Sequence, residues 1–276
     1  MAKVDILLEP FQFTFMVRAL IVSVAVGVIA PVIGSYVVSR GLALMGDALS
    51  HAVLPGVVVA MMLGLSPVVG TIPVAVVMVF LVGFLGRRTG FSEDTTIGIL
   101  FVGLFALGLA MLSIPRGVPI RLEDILLGQV LGASWRDVYA TLGLTALALI
   151  MLYLFHKELV FATFDPVGAR VAGLRTGFTD NLLLGVLALV IVVTLQAVGI
   201  ILVLAMLIVP AATARILVRR FAASMLIGAC LGVASAVSGL YLSYYLNIPS
   251  GPAMTLVAVV FFVIALILRG PAFKRA

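Results

Sequence analysis

Asp47 and His51 are an ionisable pair set inside apolar sequence, in a chain where charged residues make up only 10% of 276. They lie in the stretch Gly46–Gly56, which reads Gly-Asp-Ala-Leu-Ser-His-Ala-Val-Leu-Pro-Gly. Four residues apart, the two side chains share one face of a helix. A carboxylate and a neutral imidazole are ligands for Mn²⁺, Fe²⁺ or Zn²⁺. Two donors do not complete a coordination shell, but a symmetric dimer would bring two such pairs together. An incomplete shell also suits an ion that must leave again. The alternative is an Asp–His pair that neutralises itself and only locks helix packing. Pro55 has no amide hydrogen to bond the carbonyl of His51, so a freed carbonyl oxygen is expected beside the pair.

The elements that position this pair follow from composition. Hydrophobic residues are 64% of the chain and the mean hydropathy is +1.34. Soluble domains are about 45–50% apolar and about 25% charged, so a water-soluble fold is excluded, and disorder with it. The apolar runs are continuous and not alternating, which argues against a β-barrel. The fold class is an all-α polytopic membrane protein, one transmembrane domain over 1–276. Charge-free windows long enough to cross about 30 Å of hydrocarbon fall at 19–39, 42–63, 67–86, 95–115 and 138–155. The run 181–214 reads as two short helices turning near Gln196–Gly199, with one long tilted helix as the competitor. The run 221–268 divides at Asn247–Pro252. The total is eight or nine transmembrane helices.

Ionisable groups inside a bilayer are costly and usually functional. Arg40 marks one boundary. At 1.5 Å per residue, Asp47 lies about 10 Å and His51 about 16 Å past it. With nine segments, one side holds Arg40, Arg87, Arg88, Lys157, Arg170, Arg175, Arg215, Arg219, Arg220, Arg269, Lys274 and Arg275. The other side holds Lys3, Arg18, Arg116, Arg121 and Arg136. The richer side is expected in the cytoplasm, which puts the segment 157–180 there and the connection 115–137 outside. Within 157–180, Asp165 is a good helix N-cap, Pro166 a good first residue and Gly173 a good C-cap. These residues alone are compatible with a solvated linker helix.

Several classes are excluded. The basic residues are scattered, so the net charge of +6 reports topology and not nucleic-acid binding. Cys230 is alone, which leaves no disulfide framework or thiolate metal site. There is no Gly-Lys pair and hence no Walker A loop, no His-Glu-x-x-His and no arginine-rich voltage sensor. No cleavable signal peptide is expected. Gly228 and Gly232 fit the small-residue packing pattern, which 27 glycines make easy to meet by chance.

The Gly46–Gly56 stretch resembles the signature of the membrane permease subunit of manganese/zinc/iron ABC importers (the ABC-3 type). The similarity extends to Glu93–Ile99, Phe105–Gly108, Leu127–Gly132, Phe164–Pro166 and Ile208–Arg215. Gln129 departs from it, standing where Asn or Asp is expected. The resemblance implies a homodimeric permease in a bacterial inner membrane, in contact with lipid. It implies a separate ABC ATPase on the cytoplasmic face and a metal-binding receptor outside. Asp47 and His51 then inherit the role of metal site. The stretch Asp165–Gly173 (Asp165, Pro166, Arg170 and Gly173 among it) inherits that of a coupling helix docked on the ATPase. The signature is nearer manganese-type than zinc-type members. No permanently bound cofactor is expected, only transported Mn²⁺, Zn²⁺ or Fe²⁺, and the chain itself is no enzyme. The rival reading is a proton-coupled secondary carrier using the same pair as a proton relay. A third, an intramembrane metalloenzyme, lacks an evident base or nucleophile.

Overall fold

The computed structural model describes residues 9–65, 67–113 and 130–269. Gln129 and most of the connection 115–137 lie outside them. Among the described residues the regular structure is helical, without strands. The helices are α1 (Thr14–Arg40), α2 (Ala43–Ala52), α3 (Leu54–Met62), α4 (Pro67–Thr89), α5 (Glu93–Leu112) and α6 (Trp135–Leu154). They continue as α7 (His156–Phe164), α8 (Pro166–Val171), α9 (Thr176–Val198), α10 (Ile200–Leu217), α11 (Phe221–Leu246) and α12 (Ser250–Arg269).

By length and composition, seven described segments can cross a membrane: α1, α2 with α3 over Met45–Met62, α4, α5, α6, α11 and α12. Parts of α9 and α10, over Thr176–Val192 and Leu202–Leu217, are shorter apolar helices. The chain is thus an all-α multi-pass membrane protein. The run 181–214 is broken at Gly199, whose φ of +80° suits a residue without Cβ. A single uninterrupted helix there is not what forms.

The chain divides into two compact units, with boundaries inside α1, α6 and α9. One comprises the described residues of 1–35, 123–146 and 193–276. Its packing depends on absent side chains. α11 buries a stripe of small residues that includes Ser224, Gly228, Gly232, Ser235, Gly239 and Ser243. A Cβ on Gly232 would overlap the Gly27 carbonyl, one on Gly34 the Leu207 carbonyl, and one on Gly239 the Met254 backbone. In lipid the apolar effect does not drive helices together, so association rests on such backbone approach. The Gly228–Gly232 pattern is therefore a packing face. α11 ends at Asn247, left-handed at φ 52°, where the Ser243 hydroxyl donates to the Ile248 carbonyl at 2.7 Å. α6 starts with a capping box: the Ser134 amide and hydroxyl both donate to Asp137 Oδ2, at 2.8 and 2.7 Å.

The second unit comprises the described residues of 36–122 and 147–192. It holds α2 to α5, α7, α8 and most of α9. α3 crosses α4 at Gly56 and Gly70, where a Cβ on either glycine would overlap the other's carbonyl. A Cβ on Gly108 of α5 would meet Leu54 at 2.9 Å. The α2–α3 segment is the most buried of the seven, 72% of its window against 17% for α5.

Candidate metal site

The span expected at 42–63 is one candidate membrane segment, Met45–Met62, built from two helices. α2 stops at Ala52 and α3 starts at Leu54, with Pro55 in its first turn. The break sits two residues ahead of Pro55, where a continuing helix would need the amide that proline lacks. The carbonyl of His51 is not left open as expected, because the Val53 amide donates to it. Ser50, between the two candidate ligands, is buried and donates back to the Gly46 carbonyl at 2.7 Å. Its hydroxyl is thereby committed within α2.

The pair itself is assembled as its spacing requires. His51 Nε2 lies 3.4 Å from Asp47 Oδ1. Two donors each about 2.1 Å from one ion would span this distance at an angle of about 110°. The Asp47 side chain is 43% exposed and that of His51 22%, so the carboxylate is reachable while the imidazole is held. Phe101 and Phe105 of α5 hold it, their ring centroids 6.0 and 5.3 Å from the imidazole. His51 Nδ1 is buried without a hydrogen-bond partner among the described residues. It therefore lacks the hydrogen bond by which ligating histidines usually anchor their second nitrogen, and the ring contacts to Phe101 and Phe105 are what surround it. No group of three or more His, Cys, Asp or Glu that could hold a metal occurs among the described residues. The described residues thus bring together two candidate donors and no third.

Sequence reading did not single out Phe101 or Phe105 as neighbours of His51. Their spacing on α5 carried a faint signal, since two rings four apart face one way. Arg40, read as a boundary marker, is in fact paired. Its Nη1 lies 2.6 Å from Asp180 Oδ1 and its Nε donates to Thr163 Oγ1 at 3.0 Å.

The segment flanking the second set of candidates folds much as its end signals dictate. Asp165 Oδ1 accepts from the Gly168 amide at 2.8 Å. At the other end the Gly173 amide donates to the Arg170 carbonyl and the Leu174 amide to the Ala169 carbonyl, each at 3.0 Å. With Gly173 at φ +85°, this is a Schellman C-cap. Arg170 is exposed, and Val167 and Val171 are 66% and 85% exposed. A six-residue helix that turns two valines outward while burying Ala169 offers an apolar knob. The stretch before it, read as part of a loop from 157, is a helix of its own, α7. Asp47 with His51, and Asp165 with Gly173, lie in the same compact unit, and no hydrogen bond or ion pair joins the two groups among the described residues.

The chain matches the ABC 3 transport family over residues 12–269. It is 42% identical to the manganese transport system membrane protein MntC of Halalkalibacterium halodurans, over 92% of this chain and 87% of that protein. It is 39% identical to the chelated iron transport system membrane protein YfeD of Yersinia pestis, over 94% of this chain and 87% of that protein. Among solved structures it resembles PsaBC from Streptococcus pneumoniae in complex with Fab, with a TM-score of 0.84 at 33% identity. That match covers 95% of this chain and 94% of that one.

Proposed function

The chain belongs to the ABC 3 transport family, and on that premise we propose that it is the permease subunit of an ATP-driven importer of divalent transition metal ions, manganese foremost. It works in a bacterial inner membrane as a homodimer, with a separate cytoplasmic ATPase and an external metal-binding receptor. Several relatives are named for manganese transport and another for chelated iron, which supports manganese with iron as a second cargo.

The observation that carries the reading of the site is the pair itself: a carboxylate and an imidazole 3.4 Å apart in the most buried span, with no third protein ligand among the described residues. Two copies facing each other would present two carboxylates and two imidazoles to one ion. A shell shared between subunits opens when the subunits move, so the side from which the ion is reached can alternate. Asp47 binds as the carboxylate and His51 through its neutral ring nitrogen. Phe101 and Phe105 keep the ring from turning away. The short helix α8 docks on the ATPase through Val167 and Val171, with Asp165 and Gly173 defining its ends, Pro166 its first turn and Arg170 facing out.

The test is ATP-driven Mn²⁺ uptake by the permease–ATPase complex in proteoliposomes. Asp47→Ala and His51→Ala should abolish uptake while the ATPase still co-purifies. Normal uptake by both variants would refute the site.

A further inference from the structure

We infer that Arg40 is a positioning residue, clasped by Asp180 and Thr163, that ties the movement of α8 to the placement of Asp47 and His51; this rests on the importer reading above. The clasp lies in the last turn of α1. Only Gly41 and Leu42 separate that turn from α2. The joint between them is bonded and not slack: the Leu42 amide donates to the Val37 carbonyl at 2.9 Å and the Met45 amide to the Leu42 carbonyl at 3.0 Å. Gly41 turns the chain at φ +73°. Where Arg40 goes, the start of the ligand-bearing helix follows.

Two side chains grip this turn, and a third the turn before it, from the two helices that bracket α8. The Arg40 side chain is 12% exposed, with Asp180 of α9 at 2.6 Å from Nη1. Thr163, in the last turn of α7, accepts from Arg40 Nε while donating to the Leu159 carbonyl at 2.6 Å. Its hydroxyl hydrogen is committed, so its free lone pairs point at the guanidinium. One turn earlier on α1, the Tyr36 hydroxyl lies 2.6 Å from Nδ1 of His156, the first residue of α7. α7 is thus held at both ends. Asp165 alone separates α7 from α8, and Ala172–Arg175 separate α8 from α9.

A displacement of α8 by a docked partner must therefore shift α7 or α9. Either shift pulls on a charge-assisted, directional ion pair whose Arg40 side is 12% and Asp180 side 32% exposed. Arg40 Nη2 is buried and unpaired among the described residues, so the clasp has a donor with which to re-pair when its partners move. Chain adjacency on both sides and side-chain contact between them make one continuous route. Both ends of that route lie in the same compact unit.

The experiment uses the permease–ATPase complex in proteoliposomes and reads Mn²⁺ imported per ATP hydrolysed, beside Mn²⁺ affinity and ATPase co-purification. Arg40→Gln and Asp180→Asn should each lower the import-to-hydrolysis ratio about tenfold, with Mn²⁺ affinity and co-purification kept. Arg40→Lys, which keeps charge and loses the fork, should fall between. Arg40→Asp combined with Asp180→Arg should recover much of the ratio, and Tyr36→Phe should lower it less than the charge variants. A wild-type ratio in both single variants overturns the clasp. So does a charge swap that assembles and binds Mn²⁺ but stays uncoupled, or, where the charge variants do not assemble, an unaltered ratio in Tyr36→Phe. The two readings fail differently. Wild-type complex that imports no Mn²⁺ refutes the importer, whereas Asp47→Ala inactive beside fully coupled Arg40→Gln refutes the clasp alone.

Discussion

Two ionisable pairs lie in one compact unit and are built to opposite plans. Arg40 and Asp180 meet at 2.6 Å, with Thr163 taking a second donor of the guanidinium. Asp47 and His51 stand 3.4 Å apart, the carboxylate 43% exposed and the second imidazole nitrogen unpaired among the described residues. The first pair spends its charges on each other across helices distant in sequence. The second, four residues apart on one short helix, keeps its donors open. A pair that answers its own charge holds helices in place. The proposed site offers an ion the exposed carboxylate of the second pair.

The contrast is sharpest under charge removal. Asp47→Ala or His51→Ala should cut ATP-driven Mn²⁺ uptake by about 100-fold or more, since even outer-shell changes at metal sites cost about 10–100-fold. Co-purification of the ATPase should not change. Thermal unfolding of the purified permease should then order the two pairs the other way round. Arg40→Ala, which leaves Asp180, 32% exposed, without this partner, should destabilise by about 1–3 kcal/mol. Asp47→Asn should leave the metal-free protein within about 1 kcal/mol of wild type, because the carboxylate is 43% exposed. If both pairs respond alike in the melt, the distinction between them fails.

Smaller effects test the frame that presents the pair. Gly56→Ala or Gly70→Ala places a methyl on the opposite backbone and should cost about 1–3 kcal/mol, with weakened Mn²⁺ binding because α3 continues from α2. Asp165→Ala removes the cap on Gly168 and should cost about 1 kcal/mol. Its visible effect should be weaker capture of the ATPase in pull-down, with Mn²⁺ affinity of the permease unmoved.

Sequence reading reached the parts whose causes are local. Continuous apolar runs between Arg40, Arg87 and Lys157 can only be helices in lipid. Asp165, Pro166 and Gly173 mark the ends of α8 with their own backbone chemistry, and the spacing of Asp47 and His51 puts them on one face whatever surrounds them. The break at Gly199 was likewise readable from a run too long for one helix. Tertiary causes were not readable. The pairing of Arg40 with Asp180 joins residues far apart in the chain, and each alone looks like a boundary charge. The contact of Gly27 with Gly232 depends on which helices cross, so the Gly228–Gly232 pattern could not be told from chance. Phe155 carries no Pro or Gly to announce that α6 ends and α7 begins. At Pro55 the missing amide predicts a freed carbonyl on His51 within one span, whereas the chain stops one helix at Val53 and satisfies that carbonyl.

The most direct test of the Asp47/His51 site is pulsed electron paramagnetic resonance of Mn²⁺ bound to the permease–ATPase complex. The chain has two histidines, so an imidazole nitrogen of the permease coupled to the ion can come only from His51 or His156. A metal held by His51 gives nitrogen modulation in the wild-type complex that is retained in His156→Gln and lost in His51→Gln. Modulation that survives in His51→Gln, or Mn²⁺ bound equally well by Asp47→Asn and His51→Gln, would contradict it.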